Sequence, residues 1–323
     1  MPAAPVLVPT DLSAHAAEAL AYARRVAEAT GAPLHVLHAV SWPDAGPFEE
    51  PGEAPTAAQE TAEELALARA ALAEAVPDAD ATLVVRHSNV PASEVRDYAR
   101  TSGAGLVVVG THGRRPRRAL PDPPVLGSVA AEVVQTAPCD VLLVPPRAGD
   151  PFSARPPRRL LVPVDFSSAS RPLAAFGLGL ARDLGAAGVD LLHVLEPLPH
   201  PVRWIDETLV EVVPEIRERA AAALRDLASE VGADVEGEPP VALYVERGKA
   251  AHVIPRVAEA LGDDLVVVGP HAERPVFDRL LGSVAEGVAR RAACPVLVAR
   301  KTAAPGPTDD EEVDARGHRL EGG

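Results

Sequence analysis

The chain has 323 residues, room for about two domains at roughly 100–200 residues each. Apolar residues make up 47% but aromatics only 3%, so the core must be Val, Leu and Ala, which suits helices packed on a buried parallel sheet. A net charge of −15 argues against nucleic acid as the main partner, since phosphate neutralisation needs Lys and Arg, and equally against adhesion to anionic membranes.

Met1-Pro2-Ala3-Ala4-Pro5 carries no basic leader and runs straight into an apolar stretch, so no signal peptide is expected. No apolar run approaches the roughly 20 residues of a membrane helix, and a cytoplasmic protein is the expectation. The first strand falls near Val6–Val8. Ser13 then offers an N-cap, Leu20, Ala23 and Ala27 share one helical face, and Gly31 closes the helix Ser13–Thr30. Further strands fall near Leu34–Ala39, Leu83–Arg86, Leu106–Val109 and Val141–Val144, with helices near Ala57–Ala75, Ala92–Ser102 and Ser128–Thr136. The strands are continuous apolar runs, so both faces of the sheet should be covered. Strand–helix alternation then implies parallel strands with right-handed crossovers.

From Leu160 to Ala299 the pattern returns. Val6-Leu-Val-Pro-Thr-Asp-Leu-Ser13 reappears as Leu160-Leu-Val-Pro-Val-Asp-Phe-Ser167, and Leu37-His-Ala39 as Leu192-His-Val194. Leu106-Val-Val-Val-Gly-Thr-His112 reappears as Leu265-Val-Val-Val-Gly-Pro-His271. Gly127-Ser-Val-Ala130 returns unchanged as Gly282-Ser-Val-Ala285, and Cys139 is matched by Cys294. The chain is therefore read as a domain over 1–146, a second over 158–301, and an acidic tail over 302–323 that carries Asp309, Asp310, Glu311, Glu312 and Asp314. The Pro-, Ala- and Arg-rich stretch Pro145–Pro157 reads as a linker; linker and tail are expected to be flexible. Two lone cysteines at matching places read as small buried hydrophobes, because a metal site needs clustered ligands; no metal site is expected.

In open α/β sheets ligands bind beyond the carboxyl ends of the strands, where the strand order reverses. Asp11 and Asp165 follow the first strand of each half, Gly110 and Gly269 follow the fourth, and Gly127-Ser128 and Gly282-Ser283 open the last helix. A helix N-terminus started by glycine exposes N–H groups to an anion, and serine adds a hydroxyl donor. The Asp11 carboxylate can accept from a sugar hydroxyl or base amine, or help hold a hydrated divalent metal. The same residues also fit a plainer role, with glycines shaping turns and aspartates capping helices. Arg114, Arg115, Arg117 and Arg118 form a basic cluster that reads either as a solvated loop, as a screen for a polyphosphate, or as a docking site for an acidic partner. No Gly-x4-Gly-Lys-Ser/Thr loop and no Gly-x-Ser-x-Gly elbow occurs. Gly177-Leu-Gly179 lies inside a helical pattern, so it does not serve as a dinucleotide fingerprint. His35 and His38 point to opposite faces of one strand and cannot share a metal.

Taken together, Val-Pro-x-Asp-Leu/Phe-Ser, Leu-His-Ala/Val, Val-Val-Gly-x-His and Gly-Ser-Val-Ala in each half resemble a tandem universal stress protein over Pro5–Pro145 and Arg158–Arg300. The resemblance implies an α/β fold of two open, parallel, five-stranded sheets with helices on both faces (adenine nucleotide alpha hydrolase-like). It implies that the two domains pair through their last strands as an intramolecular pseudo-dimer; a homodimer of chains remains open. ATP-binding members carry Gly-x2-Gly-x9-Gly-Ser/Thr, while another branch lacks it and does not bind ATP. The resemblance places nucleotide-binding groups at Pro9, Thr10, Asp11, Ala39, Gly110, Gly113, Gly127, Ser128 and Val129, and at Pro163, Val164, Asp165, Val194, Gly269, Gly282, Ser283 and Val284.

Neither half matches that motif in full. Thirteen residues, not nine, separate Gly113 from Gly127, the extra piece being Pro121-Asp-Pro-Pro124; the second half keeps nine but has Ala272 in place of the second glycine. An insertion can bulge outward, whereas a methyl at a contact costs on the order of 1 kcal/mol if the position needs positive φ. The first half is therefore expected to be the better nucleotide site. The function expected is a stress-associated ATP- or ADP-binding regulator, with or without Mg, acting on an unidentified protein partner, without a dedicated catalytic site. The alternatives are an interaction module that has lost nucleotide binding, and a phosphate-handling hydrolase dependent on Asp11.

Overall fold

A computed structural model describes residues 3–41, 57–77, 80–111, 126–146, 157–196, 214–269 and 282–300. Residues 147–156 of the linker, the acidic tail, the arginine cluster, Gly113, Pro121–Pro124 and Ala272 lie outside these residues. The first half runs β1 (Val6–Thr10), α1 (Ala14–Thr30), β2 (Leu34–Val40), α2 (Ala57–Ala75), β3 (Thr82–His87), α3 (Pro91–Ser102), β4 (Leu106–Gly110), α4 (Ser128–Thr136) and β5 (Asp140–Val144). The second runs β6 (Arg159–Val164), α5 (Ser170–Asp183), β7 (Gly188–Leu195), α6 (Pro214–Glu230), β8 (Val241–Arg247), α7 (Ala250–Leu261), β9 (Leu265–Val268), α8 (Ser283–Arg291) and β10 (Val296–Val298).

Local chemistry explains the element ends. The Ser13 hydroxyl accepts from the Ala16 N–H and caps α1, while Gly31 closes it at φ 64°, a left-handed conformation that glycine adopts without a Cβ penalty. Along β1, Val6 and Val8 face the helices α1 and α2, whereas Leu7 faces α3 and α4. Both faces of the sheet are thus covered, as the unbroken apolar runs require. The outermost strands depart from that expectation: half of β3, Leu83 included, is exposed and β8 is mostly half-buried, because an edge strand has a neighbour on one side only. Within α5, a Cβ on Gly177 would meet Val162 Cγ2 at 2.6 Å. The glycine there serves close helix-to-strand packing.

The strand order is β3-β2-β1-β4-β5-β10-β9-β6-β7-β8, a single ten-stranded sheet. All pairings are parallel except β5 with β10, which is antiparallel. At this seam Leu142 pairs with Leu297, its own counterpart in the repeat, and Val141 pairs with Val298 while Leu143 pairs with Val296. A local twofold therefore passes between Leu142 and Leu297, the geometry of an isologous dimer written into one chain. Beyond the ladder, Arg300 reaches back to the first half: its N–H donates to Asp140 Oδ1 at 2.8 Å and its guanidinium to the Val134 carbonyl. Cys139 and Cys294 are each 4% exposed within the apolar layer under α3–α4 and α7–α8 and are not joined in a disulfide.

Candidate functional site: two clefts at the switch points

In each half the strand order reverses between the first and fourth strands, and a cleft opens there at the carboxyl ends. The first cleft has a volume of about 530 Å³ and the second about 510 Å³. Both fall within the roughly 300–1,000 Å³ usual for small-ligand sites.

The first cleft brings together Pro9, Thr10 and Asp11 from the end of β1, Ala39 from β2, Gly110 from β4, and Gly127, Ser128 and Val129 from the start of α4. The second brings together Pro163, Val164, Asp165, Val194, Gly269, Gly282 and Val284. Ser283 is exposed at the start of α8 and does not line the second cleft. Of the seventeen residues singled out from sequence, Gly113 is the one outside the described residues.

The turn after strand one is built alike in both halves. Ser13 N–H donates to Asp11 Oδ1 at 3.0 Å, and Ser167 N–H donates to Asp165 Oδ1 at 2.9 Å. The residue between them has positive φ in each case, 61° at Leu12 and 62° at Phe166. A non-glycine residue held there costs on the order of 1–2 kcal/mol, and the same strain recurs where the aspartate meets the cleft. The aspartates do not cap their helices: Ser13 caps α1, and α5 starts only at Ser170, after Ala169. Ser170 instead donates its hydroxyl to Asp165 Oδ1 at 2.9 Å. Partial desolvation pushes the Asp165 carboxyl up, but hydrogen bonds from Ser167 and Ser170 outweigh it and hold the group below the ordinary carboxylate range.

A histidine on strand two fixes each turn from behind. His38 Nδ1 lies 2.8 Å from the Thr10 carbonyl and His193 Nδ1 lies 2.9 Å from the Val164 carbonyl. A carbonyl can only accept, so Nδ1 carries the proton in both rings. His193 also stacks on Phe166, with ring centroids 4.2 Å apart.

On the other side of each cleft the last helix starts at glycine, with no side chain to cap it. Gly127 N–H is held by the Thr111 carbonyl at 2.8 Å, which fixes where α4 begins. The N–H groups of the first turn that follow it have no intrahelical partner and face the cleft mouth with the positive end of the helix dipole. A phosphate chain fits that donor set. Magnesium would fit only as a phosphate-held ion, since the first cleft offers Asp11 alone as a carboxylate and no cluster of three metal-ligating side chains occurs among the described residues.

Sequence reasoning missed several lining residues. Ser41, Ala16 and Pro91 line the first cleft; Ser170, His193, Glu196 and Ala250 line the second. Glu196 Oε1 accepts the Ala250 N–H at 2.7 Å, binding the end of β7 to the start of α7. The histidines recur within the Leu-His-Ala/Val repeat and were in reach of a pattern argument. The counterpart of Glu196 in the first half is Ser41, so repetition gives no signal for a carboxylate there.

This geometry defines a two-domain, doubly wound α/β protein with one cleft per domain. The universal stress protein family profile matches residues 3–145 and again residues 157–300. Over 313 residues the chain is 31% identical to a universal stress protein of Mycolicibacterium smegmatis, which spans 91% of this chain and 96% of that one. It is 39% identical over 142 residues to a universal stress protein of Thermus aquaticus, covering 43% of this chain and 96% of that one. Among solved structures, a universal stress protein from Archaeoglobus fulgidus superposes with a TM-score of 0.60 at 20% identity, covering 92% of this chain and 96% of that chain, a likeness of fold. The chain belongs to the universal stress protein family, with two such domains in tandem. Among the described residues no helix is long and apolar enough to cross a membrane.

Proposed function

We propose that the chain binds an adenine nucleotide, ATP or ADP with or without magnesium, and serves as a regulatory or sensor module. The observation that carries this reading is the pairing, across each cleft, of a strand-one carboxylate with an uncapped, glycine-started helix N-terminus. The carboxylate suits hydroxyl or amine donors of a nucleoside; the helix end suits phosphate. When bound, magnesium would supply charge neutralisation to the phosphates. Asp11 is the one titratable side chain among the described residues lining the first cleft.

The first cleft is the better candidate for a phosphorylated ligand. Its described lining contains one carboxylate, Asp11, where the second contains Asp165 and Glu196. Native mass spectrometry of the purified chain tests the reading: a co-purified adenine nucleotide that leaves on denaturation is expected. Protein that stays free of nucleotide after incubation with millimolar ATP would support an interaction module instead.

A further inference from the structure

The two clefts share a frame but not a charge. Among the described residues no lysine or arginine lines either one. The second holds two carboxylates, Asp165 and Glu196, where the first holds Asp11 alone. Glu196 Oε1 accepts the Ala250 N–H at 2.7 Å, so the first N–H of α7 is taken up within the chain. At the opposite wall Ser128 lines the first cleft, whereas Ser283 does not line the second. The second cleft therefore lacks the hydroxyl donor that the first sets beside its helix end. The segments that join the fourth strand to the last helix differ in the same sense. Each is anchored at its cleft by glycines, Gly110 and Gly127 in the first half, Gly269 and Gly282 in the second. Residues 111–126 carry four arginines against one aspartate, while residues 270–281 carry two arginines against one glutamate and one aspartate.

We propose that the clefts divide nucleotides by phosphate charge: the first selects nucleoside di- and triphosphates, and the second selects nucleoside monophosphates. This rests on the nucleotide reading of the clefts.

Each phosphate beyond the first adds negative charge and no apolar contact. In the first cleft that charge meets the α4 N-terminus, the Ser128 hydroxyl and a net positive segment anchored at the mouth. In the second it meets the α8 N-terminus beside a neutral segment, in a cleft with one more carboxylate. Unpaired charges act over about 8 Å at physiological ionic strength, so the effect needs no contact between Glu196 and the ligand. One phosphate is still served in the second cleft. The α8 helix starts at Gly282 without a side-chain cap, which leaves its first-turn N–H groups open to a single phosphate group. The nucleoside part is served by Asp165, which Ser170 clamps twice. The Ser170 hydroxyl donates to Asp165 Oδ1 at 2.9 Å and accepts the Asp165 N–H at 3.2 Å. Ala16, the counterpart in the first half, has no hydroxyl with which to do so. Leu173, Leu192, Ile254 and Val268 add an apolar lining suited to the uncharged body of the ligand.

AMP and ATP share one nucleoside and differ in phosphate charge, and they are the probes, used without divalent metal. Titrations of the full chain followed by side-chain methyl resonances separate the clefts, since Val284 lines the second and Val129 the first. At Val129, ATP is expected to bind at least ~10-fold tighter than AMP. At Val284, ATP should bind no tighter than AMP. Glu196→Gln removes the charge while its amide oxygen can still accept the Ala250 N–H. It should strengthen ATP binding at Val284 about threefold or more and change AMP binding there less, with Val129 unmoved. ATP binding tighter than AMP at Val284 in the unaltered chain, equal binding of the two at Val129, or an ATP affinity at Val284 that Glu196→Gln leaves in place overturns the proposal. A Val284 methyl that stays still with AMP while Val129 responds to ATP also overturns it and leaves the nucleotide reading intact. Methyls of both clefts that stay still with either nucleotide at millimolar concentration overturn the nucleotide reading itself.

Discussion

The floors of the two sheets, at the amino ends of the strands, differ more than their seam or their clefts do. In the first half, Tyr98 and His35 meet in a neutral hydrogen bond of 3.0 Å beneath β2. In the second half the same place on strand two holds Asp190, 1% exposed, gripped by the Arg159 guanidinium, whose Nε lies 3.9 Å from the buried Asp263. Asp264 caps the group by accepting the Arg158 and Arg159 N–H groups. Burial first, and then the nearby Asp190 charge, raise the Asp263 carboxyl to about 8 against the opposing charge of Arg159. Burial likewise lowers the His35 imidazole and keeps it neutral. One fold therefore tolerates a neutral pair or a charged cluster at one structural position, provided each buried polar atom is offset locally. The second floor is the looser of the two, since Arg159 Nε meets Asp263 Oδ1 only at 3.9 Å, beyond hydrogen-bond reach.

This contrast can be sharpened by mutation. The largest effect is expected at the seam that both halves share. Leu142→Asp buries a carboxylate opposite Leu297, where Leu142 is 3% exposed, and should cost at least ~3 kcal/mol in urea unfolding. Recovery of nearly full stability would mean that β5 and β10 do not pair in solution. Arg159→Met comes next. It strands two buried aspartates, although Arg159 itself is 38% exposed, and should destabilise by about 2–3 kcal/mol at pH 8.

The unaltered chain should show the same chemistry through pH. The folded pKa of Asp263 is raised, so the folded state holds a proton that the unfolded state has lost. Its favourable contribution is complete below the ordinary carboxylate value of 3.8 and is lost as pH rises to about 8. Asp263→Asn should flatten the fall in stability across that window. A profile with the same slope in both proteins would detach Asp263 from the pH response.

A third comparison sets the clefts against each other. Gly127→Val should weaken nucleotide binding at least ~10-fold, about 1.4 kcal/mol, while Gly282→Val changes it little, with circular dichroism as the folding control. The reverse order of effects would assign nucleotide to the second cleft. The smallest change is expected from Tyr98→Phe, which removes the His35 hydrogen bond and should cost about 1 kcal/mol or less by thermal unfolding.

Much of the architecture was legible because repetition is a long-range signal. Five matched segments located both switch points, while pairing through the last strands, realised at the Leu142–Leu297 seam, came only from the family resemblance. Contacts that depend on strand register were not legible. Arg159, Asp190 and Asp263 are distant in sequence and meet only because β7 and β9 both flank β6. Leu12 and Phe166 carry no compositional mark of positive φ. Glu196 is silent for the opposite reason: it breaks the repeat, and a departure from a pattern acquires meaning only once the α7 N-terminus is seen beside it.

The central claim is that the clefts hold an adenine nucleotide, and equilibrium calorimetry of the full chain with ATP and magnesium tests it most directly. The account predicts a saturable heat at or below millimolar ligand, accompanied by a rise in unfolding temperature through linkage. Absence of heat together with an unshifted unfolding temperature at millimolar ATP would contradict it.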